Sequence, residues 1–224
     1  LLSSVALNAN EVQQPKHQTV FIQNKGQWNS DVQFLAKTKG MNAWITTHGI
    51  RYDFNKVTLE PESKSATVLS TLNAKHPGRV RGSVVDMKCV GGNVSTDEPH
   101  EIQKSYYNYI LGNDKSKWTG NVPTYNEILR KNVYLGIDER LYFDGGFMRY
   151  DFIVAPNGNP NDIVLNFKGS EGVSINAKGE LVLKTAIGDV VQQKLYAYQG
   201  IGTEKKQVEC SFVSKSKGTV GFRL

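Results

Sequence analysis

Along this chain apolar and polar residues alternate in short runs of period two. The runs are rich in Val, Ile, Tyr and Phe and are divided by Gly, Asn, Asp and Pro. Such alternation predicts half-buried β-strands joined by turns at the punctuating residues. Predicted strands include Val20–Gln23, Val32–Lys37, Ala43–Thr47, Ile50–Phe54, Ala66–Asn73, Arg79–Val90, Tyr106–Leu111, Arg140–Asp144, Phe147–Val154, Ile163–Phe167, Glu180–Thr185, Val208–Val213 and Thr219–Arg223. In Glu180–Thr185, Leu181 and Leu183 face one way, and Glu180, Val182 and Lys184 the other. Gly145-Gly146 predicts a hairpin turn between two aromatic strands. Thr124–Lys131 has Tyr125, Ile128 and Leu129 at helical spacing, but a strand fits it equally. About fifteen strands without a convincing helix predict an all-β fold of β-sandwich architecture, either one large sandwich or two packed β-halves. Arg51-Tyr52-Asp53-Phe54 recurs as Arg149-Tyr150-Asp151-Phe152, an echo that favours halves at 20–100 and 101–224. Common strand composition produces such echoes as well.

The first residues break the pattern. Leu1-Leu2-Ser3-Ser4-Val5-Ala6-Leu7-Asn8-Ala9 looks like the end of a signal peptide, a short apolar stretch closing in small residues, with cleavage after Ala9. An ordinary first strand is the competing reading. Residues 1–19 are thus expected to be a signal-peptide remnant and tail, with the all-β domain at 20–224. The implied location is secreted or cell-surface.

Composition narrows the class. Of 224 residues 39% are hydrophobic and 21% charged, which suits a globular chain with a real core. No apolar run approaches the roughly 20 residues of a membrane helix, so no membrane span is expected. The 27 Lys and Arg exceed the 21 Asp and Glu, giving a net charge of +6. That excess is scattered in small clusters, as at Lys115 and Lys117 or Lys205 and Lys206, rather than gathered in the stripe a nucleic-acid binder uses. No nucleic-acid partner is expected.

The search for chemistry is mostly negative. There is no GxSxG, HExxH, CxxC, P-loop or GxGxxG motif. His17, His48, His76 and His100 fall in expected turns, loops or the tail, and none has a partner at ligand spacing. Cys89 and Cys210 alternate with apolar neighbours, and two buried thiols or one disulfide both remain open. Asp138, Glu139, Asp144 and Asp151 crowd the aromatic part of the chain, and a glycosidase needs only two carboxylates about 5–10 Å apart. Turn caps and solvated faces are the plainer roles for them. Ca²⁺ would suit the same oxygens, but no loop has EF-hand-like ligand spacing, and no cofactor is expected. Aromatic residues near turns are the candidate ligand-binding set: Trp28, Trp44 and Trp118, with Tyr106, Tyr107 and Tyr109. Aromatic faces stack on sugars and dominate binding hot spots, although they also cap sandwich ends.

Several blocks go beyond composition. One is Phe21-Ile22-Gln23-Asn24-Lys25-Gly26-Gln27-Trp28. Another runs from Tyr106 through Gly112-Asn113-Asp114, Ser116-Lys117-Trp118 and Asn121-Val122-Pro123-Thr124-Tyr125 to Lys131-Asn132-Val133-Tyr134-Leu135-Gly136-Ile137-Asp138. With Tyr150–Pro156, Thr185–Gly188 and Gln193–Gln199, these resemble the uncharacterised N-terminal β-domain (DUF7948-like) of secreted Bacteroidetes proteins. Leu135 stands where that family usually has Pro. The resemblance implies SBBP β-propeller repeats and a type IX secretion sorting domain further along the parent protein. It implies no catalytic residue. The expected function is a non-catalytic extracellular module for adhesion, glycan or protein recognition, or spacing, with glycans, surface proteins or the downstream repeats as partners. A polysaccharide-acting enzyme using a carboxylate pair, and an assembly module contacting secretion machinery or the repeats, are the alternatives.

Overall fold

The computed structural model of the chain describes residues 2–3, 19–38, 40–58, 79–110, 112–193, 195–201 and 204–224. Within them the chain is all-β, with three short 3₁₀ turns at Lys115–Lys117, Pro160–Asp162 and Ser216–Gly218. The strands are β1 (Leu2–Ser3), β2 (Phe21–Gln23), β3 (Val32–Thr38), β4 (Met41–Thr46), β5 (Gly49–Thr58), β6 (Arg79–Cys89), β7 (Thr96–Tyr109), β8 (Thr119–Tyr134) and β9 (Ile137–Asp144). They continue as β10 (Phe147–Val154), β11 (Val164–Lys168), β12 (Gly172–Ile175), β13 (Leu181–Thr185), β14 (Gly188–Gln192), β15 (Tyr196–Ile201), β16 (Glu204–Val208), β17 (Ser211–Ser214) and β18 (Val220–Arg223). Ala66–Asn73, His17 and His76 lie outside the described residues.

Fifteen strands form one antiparallel sheet in the order β16-β15-β1-β10-β9-β8-β2-β3-β4-β5-β6-β11-β18-β17, with β7 also paired to β8. The strands β12-β13-β14 form a small second sheet. β8 joins two arms. Its Thr124 and Tyr125 pair with β2, its Glu127–Tyr134 stretch pairs with β9, and β7 runs along its other edge. The arms share one core. Phe21 meets Phe143 across it at 4.6 Å between ring centroids, and Phe152 meets Phe222 at 5.8 Å. The expected sandwich is therefore a single large sheet folded back on itself.

Period-two burial builds that core. Met41, Ala43 and Ile45 on β4, and Ile137, Glu139 and Leu141 on β9, are the buried alternate positions. Gly145 and Gly146 both adopt positive φ, at 58° and 83°, and close the predicted hairpin between β9 and β10. Of the two readings of Thr124–Lys131 the strand holds and the helix does not: Thr124, Ile128 and Arg130 are the buried residues of the segment. Cross-strand pairing on both edges outweighs a coincidental helical spacing. The repeated Arg-Tyr-Asp-Phe blocks fall on β5 and β10, where Tyr52, Phe54, Tyr150 and Phe152 all point into the shared core. β7 runs unbroken through positions 100 and 101.

Where the arms join, Arg130 is 3% exposed and holds three elements. Its Nε donates to Asp97 Oδ1 on β7 at 3.2 Å, Nη1 to Glu139 Oε2 on β9 at 2.8 Å, and Nη2 to the Thr46 carbonyl on β4 at 3.0 Å. Removing the cation strands two buried carboxylates. Arg130→Met is expected to lower unfolding free energy by about 3–5 kcal/mol in urea denaturation, with Arg130→Lys recovering little of it, because a single ammonium cannot span three divergent acceptors. A loss below about 1 kcal/mol would mean that the cluster behaves like a surface ion pair.

Candidate ligand cleft

The predicted aromatic set is split by the fold. Trp28 packs edge-on against Trp44 at 5.4 Å and against Tyr109 at 5.3 Å, and Tyr107 stacks on Tyr109 at 6.3 Å. Trp28, Tyr107 and Tyr109 pack against Val20, Ile22 and Val122 as a second small core. The register Ile22–Leu35–Trp44 places that core on the face of the β2–β4 sheet opposite the main core. Trp28, Trp44, Tyr107 and Tyr109 thus cover the back of the sheet instead of offering open stacking faces. Tyr106 and Trp118 remain on the surface, 59% and 38% exposed. The Trp118 Nε1 donates to the Gly112 carbonyl at 3.2 Å, and Lys115 Nζ lies 5.9 Å from the ring centroid.

The blocks that carried the resemblance build turns. Asn24 accepts from the amides of Gly26 and Trp28 and donates to the carbonyls of Asn29 and Val32, so its side chain organises the loop that carries Trp28. Asp114 caps the first 3₁₀ turn by accepting from the Ser116 amide at 3.0 Å. Asp138 accepts from the Asn132 amide at 2.7 Å and from Lys131 Nζ at 2.6 Å across the β8–β9 turn.

The carboxylates of the β9–β10 hairpin do not converge. Glu139 is fully buried against Arg130, and burial raises its pKa despite the guanidinium. Its Oε1, like Asp97 Oδ2, has no hydrogen-bond partner among the described residues. Asp138 is tied into the β8–β9 turn, and Asp144 pairs with Arg149 at 2.8 Å near the hairpin tip. Asp151 pairs in register with Arg140, whereas Glu139 pairs with Phe152, so Glu139 and Asp151 point to opposite faces of the sheet. No three His, Cys, Asp or Glu side chains among the described residues are grouped to hold a metal.

The Cys89–Cys210 disulfide is also corrected: neither residue is in a disulfide. Cys89 is on β6, and Cys210 precedes β17, which lies three strands away through β11 and β18. Three spacings of about 4.8 Å exceed the roughly 7 Å Cα limit of a bridge. Burial pushes the Cys89 thiol up to about 12, where it is no nucleophile at neutral pH. Its neighbour Tyr134 accepts from the Val164 amide and donates to the Val164 carbonyl, tying β8 to β11. His48 lies at a shallow cavity of about 350 Å³ with Cys89 and Arg130, and exposed His100 sits 3.9 Å from Glu98.

A second hollow, of about 390 Å³, opens on the outer face of β8 and β9. Thr19, Glu101, Asn126, Glu127, Arg140, Tyr142, Phe143 and Gly146 line it. Arg140 donates through Nε and Nη2 to Glu127 Oε2, the former at 2.8 Å, and its guanidinium lies 4.5 Å from the Tyr142 ring centroid. Glu101 holds φ at +55°, a left-handed conformation that costs a residue of this type energy, just before β7 slips register against β8 between Ile102 and Tyr106. The Glu101 and Asn126 side chains show no hydrogen bond among the described residues, and Glu127 Oε1 is likewise unused. An aromatic wall, a guanidinium and several unused oxygens in one hollow suit a ligand that carries many hydroxyl groups. Sequence reading missed this set. Arg140 and Tyr142 do alternate on a predicted strand, but only the β8–β9 register brings Glu127 to them.

Beside the cleft Asp151 is buried and accepts from Tyr142 Oη at 3.4 Å. Burial raises its carboxyl to about 6 against the opposing pull of Arg140 and the Tyr142 hydroxyl. The folded chain then binds this proton more tightly than the unfolded chain does. Stability from this group is present at low pH and falls as pH rises from about 4 through about 6. Asp97 and Glu139 are raised in the same direction. The difference between wild-type and Asp151→Asn unfolding curves across that range is expected to show the wild type losing stability relative to the variant. Parallel curves would refute the assignment.

A model of a domain of unknown function, DUF7948, matches residues 21–224. No curated protein and no solved structure matches the chain. No helix among the described residues is long and apolar enough to cross a membrane. The matched span runs from the first residue of β2 past the end of β18 and includes every residue of both cores except Val20, so the chain belongs to the DUF7948 family.

Proposed function

We propose that this domain is a non-catalytic recognition module of a larger exported bacterial protein, and that it holds a glycan in the Glu101–Asn126–Glu127–Arg140–Tyr142 cleft. The observation that carries the reading is the set of unused polar groups gathered beside the Tyr142 ring. Sugar recognition needs both, an apolar face for the ring C–H groups and planar polar side chains for vicinal hydroxyls. The leader-like Leu1–Ala9 segment and the resemblance to secreted Bacteroidetes proteins support an extracellular or cell-surface setting, SBBP repeats in the parent protein and export by the type IX route. A carboxylate-pair enzyme has less support, since Asp138, Glu139, Asp144 and Asp151 point to separate surroundings. Protein contact is favoured by a different observation, the exposed Ile102, Tyr106 and Ile110.

A glycan and polysaccharide array, run with and without Ca²⁺, separates these. Selective binding is expected, and Tyr142→Ala and Arg140→Ala should each weaken it roughly 10- to 100-fold in titration calorimetry. Trp118→Ala should leave it unchanged, and unaltered unfolding midpoints exclude misfolding. Binding that survives both cleft variants, or no binding to any glycan, would move the role to protein contact or spacing.

A further inference from the structure

The hollow beside Tyr142 takes its chemistry from a change of face along β8. Tyr125 and Ile128 both pack into the main core, although residues three apart on a regular strand point to opposite faces. The strand therefore rotates between them, and the adjacent Asn126 and Glu127 both open onto the hollow. On β7, His100 pairs with Glu127 and Ile102 with Tyr125, which sets Glu101 across from Asn126. The charged residues of the lining are Glu101, Glu127 and Arg140, two carboxylates against one guanidinium, so the hollow is negative by one charge on a chain of +6. Arg140 is already committed: it donates twice to Glu127 Oε2 and lies over the Tyr142 ring. The Tyr142 hydroxyl donates away from the hollow, to Asp151. Neighbouring cationic groups are engaged as well, Arg149 with Asp144 at 2.8 Å and His100 beside Glu98 at 3.9 Å. The groups left for a ligand are chiefly acceptors: the Glu101 carboxylate, Glu127 Oε1 and the Asn126 amide oxygen.

We propose that the glycan held in this cleft is an amino sugar with a free amino group, whose ammonium sits among Glu101, Asn126 and Glu127. The inference rests on the glycan reading above and names the sugar class within it. An ammonium brings three donors and no acceptor, which matches an acceptor-rich pocket. A hydroxyl at the same place brings one donor and no charge. N-acetylation removes the charge and two of the three donors, and it turns a carbonyl oxygen toward carboxylates. A uronate sets a third carboxylate beside Glu101 and Glu127, so the cleft disfavours acidic glycans. Glu101 is exposed and the hollow open, so water screens each charge pair. An exposed pair is worth a factor of a few, and two carboxylates together set a preference of about tenfold, not a thousandfold.

The test titrates four tetrasaccharides of one linkage, built of glucosamine, N-acetylglucosamine, glucose or glucuronate, into the full chain in mildly acidic buffer. The glucosamine form is expected to bind about tenfold more tightly than the glucose form, and the glucuronate form to bind weakest of the four. Raising salt from about 50 mM to about 500 mM should cut the glucosamine advantage to about twofold. In Glu101→Gln the ratio of glucosamine to glucose affinity should fall to about two or three, and in Asn126→Asp it should rise severalfold. Unaltered unfolding midpoints show that both variants fold. A ratio near one in the wild type, tighter binding of the N-acetyl or glucuronate form, or a ratio that Glu101→Gln leaves intact would overturn the amino-sugar assignment. The glycan reading survives those results if Tyr142→Ala still weakens binding of the glucose form. No binding of any of the four, together with a blank glycan array, would remove both.

Discussion

A buried guanidinium constrains this fold more than any apolar contact does. An arginine inside a core is tolerated only when its N–H groups meet acceptors, because desolvating the charge costs several kcal/mol by itself. Arg130 meets that condition only if β7, β9 and the end of β4 arrive together, bringing Asp97, Glu139 and the Thr46 carbonyl. Hydrophobic burial alone would accept many registers of two large sheet arms. The Arg130 contacts accept one, since a two-residue slip of β8 against β9 would bury an unpaired charge. The same region of β8 carries Tyr134, whose hydroxyl grips the Val164 backbone, so the junction also reaches β11.

Alternation carries that constraint to the surface. On β8, Ile128 and Arg130 point inward, and Glu127 points outward. On β9, Glu139 and Leu141 point inward, and Arg140 and Tyr142 outward. The buried Arg130–Glu139 pair and the outer Glu127–Arg140 pair therefore sit back to back on the same two strands. Fixing the inner pair fixes the outer one, and with it the wall of the cleft. The proposed ligand site, carried on strands so anchored, would be stiffer than one on loops, which would lower the entropy lost on binding.

What was legible in the sequence follows from the range of the forces involved. Alternation is local, so most strands, the β9–β10 turn at Gly145-Gly146 and the inward row on β4 could be read directly. The first half of β7 could not. Thr96–Ser105 is polar, carries Pro99 and has one open edge, so it lacks the apolar row that marks a strand; pairing with β8 makes it one. The division of the aromatic set was illegible for a related reason. Nothing in the spacing of Trp28, Trp44 and Tyr109 says that they meet, and once they do, their faces are occupied by one another. Glu101, Glu127 and Arg140 come from three strands, and composition around each looks like ordinary solvated β-surface.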